Sequence, residues 1–288
     1  MKLLLTAVFL FFVLLIGLLP FFVLYLFSDF SRIILYHIAG YRKTVIRQNL
    51  IKTFPNLNQD ELNKIIGSTY KNMTDILVEG IKSFTMSRKQ IRKRHQILNP
   101  EILDPYFEQG KSIIAVTGHY ANWEWGSLSA GLQTKYKVVA FYKPLSNKWI
   151  DKFLRWSRSR FGTSLASIYE TSKTFEKYQA TKTIFVMAAD QSPAKAEKAF
   201  WVNFLGRDTA FLHGPEKHAH SNDYPMFYVD IQRIKRGFYQ LKLSCLVENP
   251  LILNEGEITE KFAKRLETSI KNDPGNWLWS HRRWKLSR

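Results

Sequence analysis

The chain has 288 residues, 45% of them hydrophobic, and a formal net charge of +18. That length suits one sizeable core, no solenoid-period repeat is present, and the single cysteine, Cys245, excludes an intrachain disulfide and fits a reducing compartment. The charge calls for acidic partners; an apolar N-terminus without any nucleic-acid motif points to lipid headgroups or an acidic protein, not DNA or RNA.

In chain order, the first feature is the stretch from Lys2 to Asp29, which contains no charged residue between its ends. Its length matches the ~20 apolar residues that cross a bilayer, so residues 1–28 read as a transmembrane anchor, kinked at Gly17 and Pro20. A cleaved signal peptide fits less well, because the apolar run is too long and lacks a small-x-small cleavage site. Lys2 alone precedes the span, whereas Arg32, Arg42, Lys43, Arg47 and Lys52 follow it, which predicts a cytoplasmic body. From Ser31 to Lys93 apolar residues recur at three-to-four spacing, as in Leu62, Ile65, Ile66, Met73, Ile76 and Leu77. This predicts a helical layer over 29–104, broken at Pro55. The basic run Arg88 to Arg94 is either a solvated helix face or a docking surface.

After Pro105 the texture changes. Short apolar runs at Ser112–Thr117, Lys137–Tyr142, Thr183–Ala188, Met226–Ile231 and Leu241–Val247 read as strands separated by helices. The expected fold is α/β, a mixed, mostly parallel sheet over 105–288, with the last two strands antiparallel around Lys235-Arg236-Gly237. Cys245 falls in an alternating run and is expected to be a buried strand residue, not a thiol nucleophile.

Ligands of such sheets gather at the carboxyl ends of the strands. His119 follows the first of these strands, Lys143 the second and Asp190 the third. In Gly118-His119-Tyr120-Ala121-Asn122-Trp123-Glu124-Trp125 an imidazole and a carboxylate are five residues apart. On a continuous helix that is roughly 500°, about 140° off one face, so the pair needs His119 in a turn and Glu124 in a first helical turn capped by Asn122. His119 would then be a general base whose tautomer Glu124 fixes; the structural alternative is a satisfied histidine at a helix start. Arg158 and Arg160, after a helix expected from Asn147 to Trp156, suit a phosphate or a polarised carbonyl, or simply a solvated surface. Asp190 could order an arginine or acceptor, or cap a helix. His213, His218 and His220 match no zincin or finger spacing, and Gly214-Pro215-Glu216 reads as a helix start. The C-terminal tryptophans suit a membrane interface or a core.

Taken together, the His119 block and the ordered blocks Phe141-Tyr142-Lys143-Pro144, Arg158 to Gly162, Ala189-Asp190-Gln191, Phe204-Leu205-Gly206, Gly214-Pro215-Glu216 and Trp277 to Lys285 resemble the late acyltransferases of lipid A biosynthesis. These belong to the lysophospholipid acyltransferase superfamily with its His-x4-Asp/Glu motif. Residues 29–288 would form the acyltransferase domain. The resemblance implies a glycerolipid acyltransferase-like fold, an inner-membrane location, an acyl carrier protein thioester as donor and a hydroxyl of a lipid A precursor as acceptor. It favours Arg160 as functional; the histidine spacing gives no reason to expect a metal, and no cofactor is expected. Asp190-Gln191 departs from the Asp-His of many relatives, so the second position's role does not carry over. Without a Gly-x-Ser-x-Gly elbow or a nucleophilic cysteine, the expected route is direct attack by the acceptor hydroxyl. The rivals are acylation of a lysophospholipid or aminolipid, and a non-catalytic lipid- or carrier-binding protein.

Overall fold

The computed structural model describes residues 2–288, apart from the side chains of residues 2–5 and 198. The Lys2 side chain, on which the expected orientation partly rests, lies outside the described residues. In order, the elements begin α1 (Lys2–Leu18), α2 (Phe21–Ile33), α3 (Lys43–Thr53), α4 (Gln59–Lys82), α5 (Arg88–Arg94), β1 (His95–Ile97), α6 (Asp104–Glu108), β2 (Ile113–Thr117), α7 (Gly126–Gln133) and β3 (Lys137–Tyr142). They continue α8 (Lys148–Ser159), β4 (Thr163–Ser167), α9 (Thr171–Lys177), β5 (Thr183–Ala188), β6 (Ala199–Phe204), β7 (Arg207–Leu212), α10 (Gly214–Asn222), β8 (Met226–Lys235), β9 (Phe238–Val247) and α11 (Glu257–Asn272).

Among the described residues the strands form a seven-stranded sheet, order β1-β9-β8-β2-β5-β3-β4, and a separate β6–β7 hairpin. Every neighbour in the large sheet is parallel except β8 and β9, which turn at Arg236-Gly237 as expected. β2 is buried along its whole length, as a central parallel strand covered on both faces must be. The sequence reading missed β1, β4, β6 and β7. β1 has three residues and β4 is the polar run Thr163-Ser164-Leu165-Ala166-Ser167 at the sheet's edge, so neither carries an apolar signal.

The apolar N-terminus is not one helix. Pro20 has no N–H to donate and sits outside helical backbone at ψ 151°, so the run divides into α1 and α2. Phe21–Ile38, α2 with the π-helical turn that follows it, is long and apolar enough to cross a membrane by length and composition. α2 is patterned opposite to a soluble surface helix. Leu24 and Ser28 are buried and Tyr25 and Asp29 face the body, while Phe22, Leu26, Phe27 and Phe30 are exposed. Ser28 donates to Asp75 at 2.6 Å and Tyr25 to Glu79 at 2.8 Å, both on α4. Lys82 donates to the Gly17 and Leu19 carbonyls freed by the break (2.7 and 2.8 Å).

The α4 start has the capping box Asn58–Glu61. At the other end of the chain one expectation is corrected and one open alternative is decided. Cys245 is exposed, past Leu241 where β1 no longer pairs with β9, with the Tyr106 hydroxyl 3.9 Å from its sulfur. The C-terminal tryptophans belong to the core: Trp277 and Trp279 are buried, and Arg283 donates to the Ala210 carbonyl at 2.6 Å.

Candidate active site

Strand register builds the site. β2 and β5 are parallel neighbours with Thr117 opposite Ala188, so the residues two positions on, His119 and Asp190, leave the sheet side by side. The Ala189 N–H continues the ladder to the Thr117 carbonyl at 3.0 Å. Gly118 allows the chain through, since a Cβ there would lie 2.7 Å from Leu266 and 3.3 Å from the Asp190 carboxylate. Beyond it the loop is pinned to the C-terminal segment: Leu278 N–H donates to the His119 carbonyl and Ala121 N–H to Asn276, with Ala121 held at φ 48°.

His119 Nδ1 is 2.5 Å from Asp190 Oδ1, and the His119 backbone N–H donates to Oδ2 at 2.9 Å. Trp277 Nε1 donates to the same Oδ2 at 2.8 Å. This fixes the imidazole with Nδ1–H toward the carboxylate and Nε2 outward, the orientation a general base requires. Burial lowers the imidazole's proton affinity, but the Asp190 charge and hydrogen bond, with Glu124 adding a smaller push, raise its pKa overall. Burial of Asp190 pushes the other way, yet His119 and Trp277 bring its carboxyl down to about 2.

The hydrogen bond expected from Glu124 is therefore made by Asp190. Glu124 does lie in a first helical turn, Trp123–Trp125, capped by Asn122 through the Trp125 N–H. Its carboxylate turns to Arg158 of α8, at 2.6 Å. Both side chains are about a quarter to a third exposed (30% and 26%), so the pair orders the guanidinium more than it stabilises the fold. Arg160 does not join them: it donates to the Ser83 and Met86 carbonyls, at 2.5 and 3.3 Å, and ties α8 to the helical layer. Lys143 is exposed at the end of β3, outside the hydrogen-bonded group.

Sequence reasoning gave no role to three residues that complete the site. Trp277 holds Asp190, and Gln191 Nε2 lies 3.2 Å from His119 Nε2. Trp123 sets its ring edge-on to the imidazole at 5.1 Å between centroids. Gln191 and Trp277 lie in blocks already singled out, but nothing in their spacing says that residues 119, 190 and 277 meet. His281 accepts the Ser192 N–H at 3.2 Å, and burial, with the basic side chains nearby, takes its pKa down to about 4 despite Asp190, so it is neutral at pH 7. His218 lies flat on Phe175 at 4.1 Å, while Glu216, at the predicted helix start, accepts the Gly256 and Thr259 N–H groups. Among the described residues no three His, Cys, Asp or Glu side chains are grouped to hold a metal.

An imidazole with one nitrogen locked to a carboxylate and the other turned outward, at the carboxyl edge of a mostly parallel sheet, defines an α/β enzyme equipped for proton transfer. The chain belongs to the bacterial lipid A biosynthesis acyltransferase family, whose model matches residues 2–286. It is similar to the lipid A biosynthesis palmitoleoyltransferase of Escherichia coli K12, at 21% identity over 85% of this chain and 79% of that protein. It is likewise similar to a lipid A biosynthesis acyltransferase of Haemophilus influenzae, at 24% over 84% and 76%. A further relative is the lipid A biosynthesis lauroyltransferase of E. coli K12, at 20% over 85% and 79%.

Proposed function

We propose that the protein is a membrane-anchored O-acyltransferase that moves a fatty acyl chain from an acyl carrier protein thioester to a hydroxyl of a lipid A precursor. The observation that carries the chemistry is the 2.5 Å contact between His119 Nδ1 and Asp190. An alcohol is too weak an acid to be ionised in advance, so its proton passes to His119 Nε2 as its oxygen attacks the thioester carbonyl carbon. Gln191 Nε2, 3.2 Å from His119 Nε2, occupies the position the acceptor hydroxyl must take. The tetrahedral oxyanion collapses, the carbon–sulfur bond breaks, and the imidazolium returns its proton to the leaving thiolate, giving ester and free thiol. Asp190 holds the tautomer and stabilises the transient cation, and Glu124 keeps Arg158 available as a cation for the developing oxyanion. Lys143 and the other basic side chains serve glycolipid phosphates or the acidic carrier.

The inward polar face and outward apolar face of α2 support membrane anchoring, since polar groups of a lipid-embedded helix turn to the protein interior. The cationic flank that follows it supports a body on the cytoplasmic side of an inner membrane. Lipid mass spectrometry of a deletion strain beside its complemented parent tests the acceptor: lipid A should lose the mass of one acyl group while glycerophospholipids stay unchanged. Intact lipid A with an accumulating lysophospholipid or aminolipid would assign the same machinery to another acceptor.

A further inference from the structure

Helix α8 presents two different faces. Its inner face carries Arg158 to Glu124, and Phe153 stacks edge-on against Phe84 at 4.5 Å. Its outer face is made by Lys148, Trp149, Lys152, Arg155, Trp156 and Ser159, all exposed and spaced as one side of a helix. Trp149 is 56% and Trp156 53% exposed, and the face carries three cations and no carboxylate. Two large indoles left in water on a helix that is otherwise packed are costly for a soluble surface, and single exposed apolar residues do not explain a pair set among cations on one face.

The helix is also fixed in place. Asn147, its N-cap, donates to Thr6 Oγ1 of α1 at 3.0 Å, and Arg160 at its far end binds the Ser83 carbonyl. It therefore adjoins α1, whose outward side exposes Phe9, Phe11, Phe12 and Leu15. We infer that the outer face of α8 is a second membrane contact, lying in the headgroup layer of an anionic bilayer with Trp149 and Trp156 at the acyl boundary and Lys148, Lys152 and Arg155 on lipid phosphates. Amphipathic aromatics collect at that depth, and each cation adds roughly fivefold to partition on an anionic surface. An acidic carrier would match the charge equally, but it gives no reason for paired indoles beside the apolar side of α1. The consequence is that Arg158 and its partner Glu124 lie one helix width from the bilayer, where a lipid acceptor's headgroup would be.

This inference rests on the membrane-anchored reading proposed above, and one experiment separates the two. The full chain and its Trp149→Phe/Trp156→Phe variant are reconstituted in vesicles of phosphatidylglycerol and phosphatidylcholine, with circular dichroism to check folding. Subtracting their emission isolates two of the eight tryptophans. The difference emission should be blue-shifted and cut roughly twofold or more by lipids brominated on the acyl chain, as for rings at the interface. Lys148→Gln/Lys152→Gln/Arg155→Gln should reverse much of that quenching. An unquenched difference emission, or one that shifts only when acyl carrier protein is added, overturns the inference while the anchor stands. A chain stripped from the vesicles by alkaline washing overturns both.

Discussion

Asp190 and Glu79 are both buried carboxylates that accept three hydrogen bonds on their side chains, yet they are tuned in opposite directions. Asp190 takes two from His119 and one from Trp277; Glu79 takes one each from Tyr25, Tyr239 and Asn122. Burial pushes both carboxyl pKa values up. For Asp190 the imidazolium-capable partner reverses this and the value falls to about 2, whereas the tyrosine donors and the more distant Arg233 do not offset burial at Glu79 and its value rises to about 7. At Asp190 a partner that can carry positive charge adds its attraction to the hydrogen bonds, while at Glu79 the nearby Asp75 opposes Arg233 and the hydrogen bonds fall short of the burial cost. Both carboxylates grip the same loop, Asp190 at His119 and Glu79 at Asn122. The first faces an imidazole still 19% exposed, and the second is closed under α2. The first therefore borders a group open to solvent, and the second is enclosed.

Neutralising Asp190 is expected to have the largest effect. Asp190→Asn should lower turnover by up to ~10⁴-fold at unchanged fold, the scale of loss when the partner fixing a catalytic imidazole becomes an amide. The pH profile should move as well. Because His119's pKa is raised above 6.5, its base form grows as pH rises through that raised value, so kcat/KM climbs over the same range; without Asp190 the limb should shift to lower pH. An unmoved limb would separate the rate from His119.

Next is removal of the N-terminal helices. A chain starting at Phe30 takes Tyr25 from Glu79, Ser28 and Asp29 from the Asp75–Arg233–Arg236 cluster, and two carbonyls from Lys82. These losses leave Lys82 and part of the cluster without partners, so the truncated chain should melt lower and aggregate instead of simply becoming more soluble. Unchanged melting in detergent would mean the helices only anchor.

Glu79→Gln sharpens the contrast from the other side. A folded pKa of about 7 against 4.5 unfolded means that ionising Glu79 costs stability. Its contribution is full below pH 4.5 and lost as pH rises through 7, about 3 kcal/mol in all. The difference in melting between parent and variant should therefore change sign or slope across that window, and a constant difference would contradict a neutral-donor site. The smallest effect is expected at Glu124, whose charge reaches His119 weakly and whose carboxylate pairs with Arg158. Glu124→Gln and Arg158→Gln should each cost about tenfold in turnover and should couple in a double-mutant cycle. Independent losses would uncouple the 2.6 Å ion pair from the reaction.

The sequence made the long apolar strands and the helical layer legible, because buried parallel strands and three-to-four spacing leave strong periodic signals. It identified His119 and Asp190 separately as residues following strands. It could not pair them, since β3 and β4 intervene between β2 and β5 in the chain while β2 and β5 are neighbours in the sheet. The closer residue in sequence, Glu124, was therefore given the role that register assigns to Asp190. Glu79 was invisible for a related reason: in a helix of mixed polarity a carboxylate reads as solvated until its partners, 43 to 160 residues away, are known.

We propose that His119 and Asp190 act as one unit. The most direct test of this is turnover at saturating donor and acceptor for the parent, His119→Ala, Asp190→Asn and the double variant, each checked for fold by circular dichroism. His119→Ala should lose about 10²–10⁴-fold, and the double variant should be no more than about threefold worse, because Asp190 works only through the imidazole. Losses that multiply in the double variant, or near-parental turnover in folded His119→Ala, would contradict it.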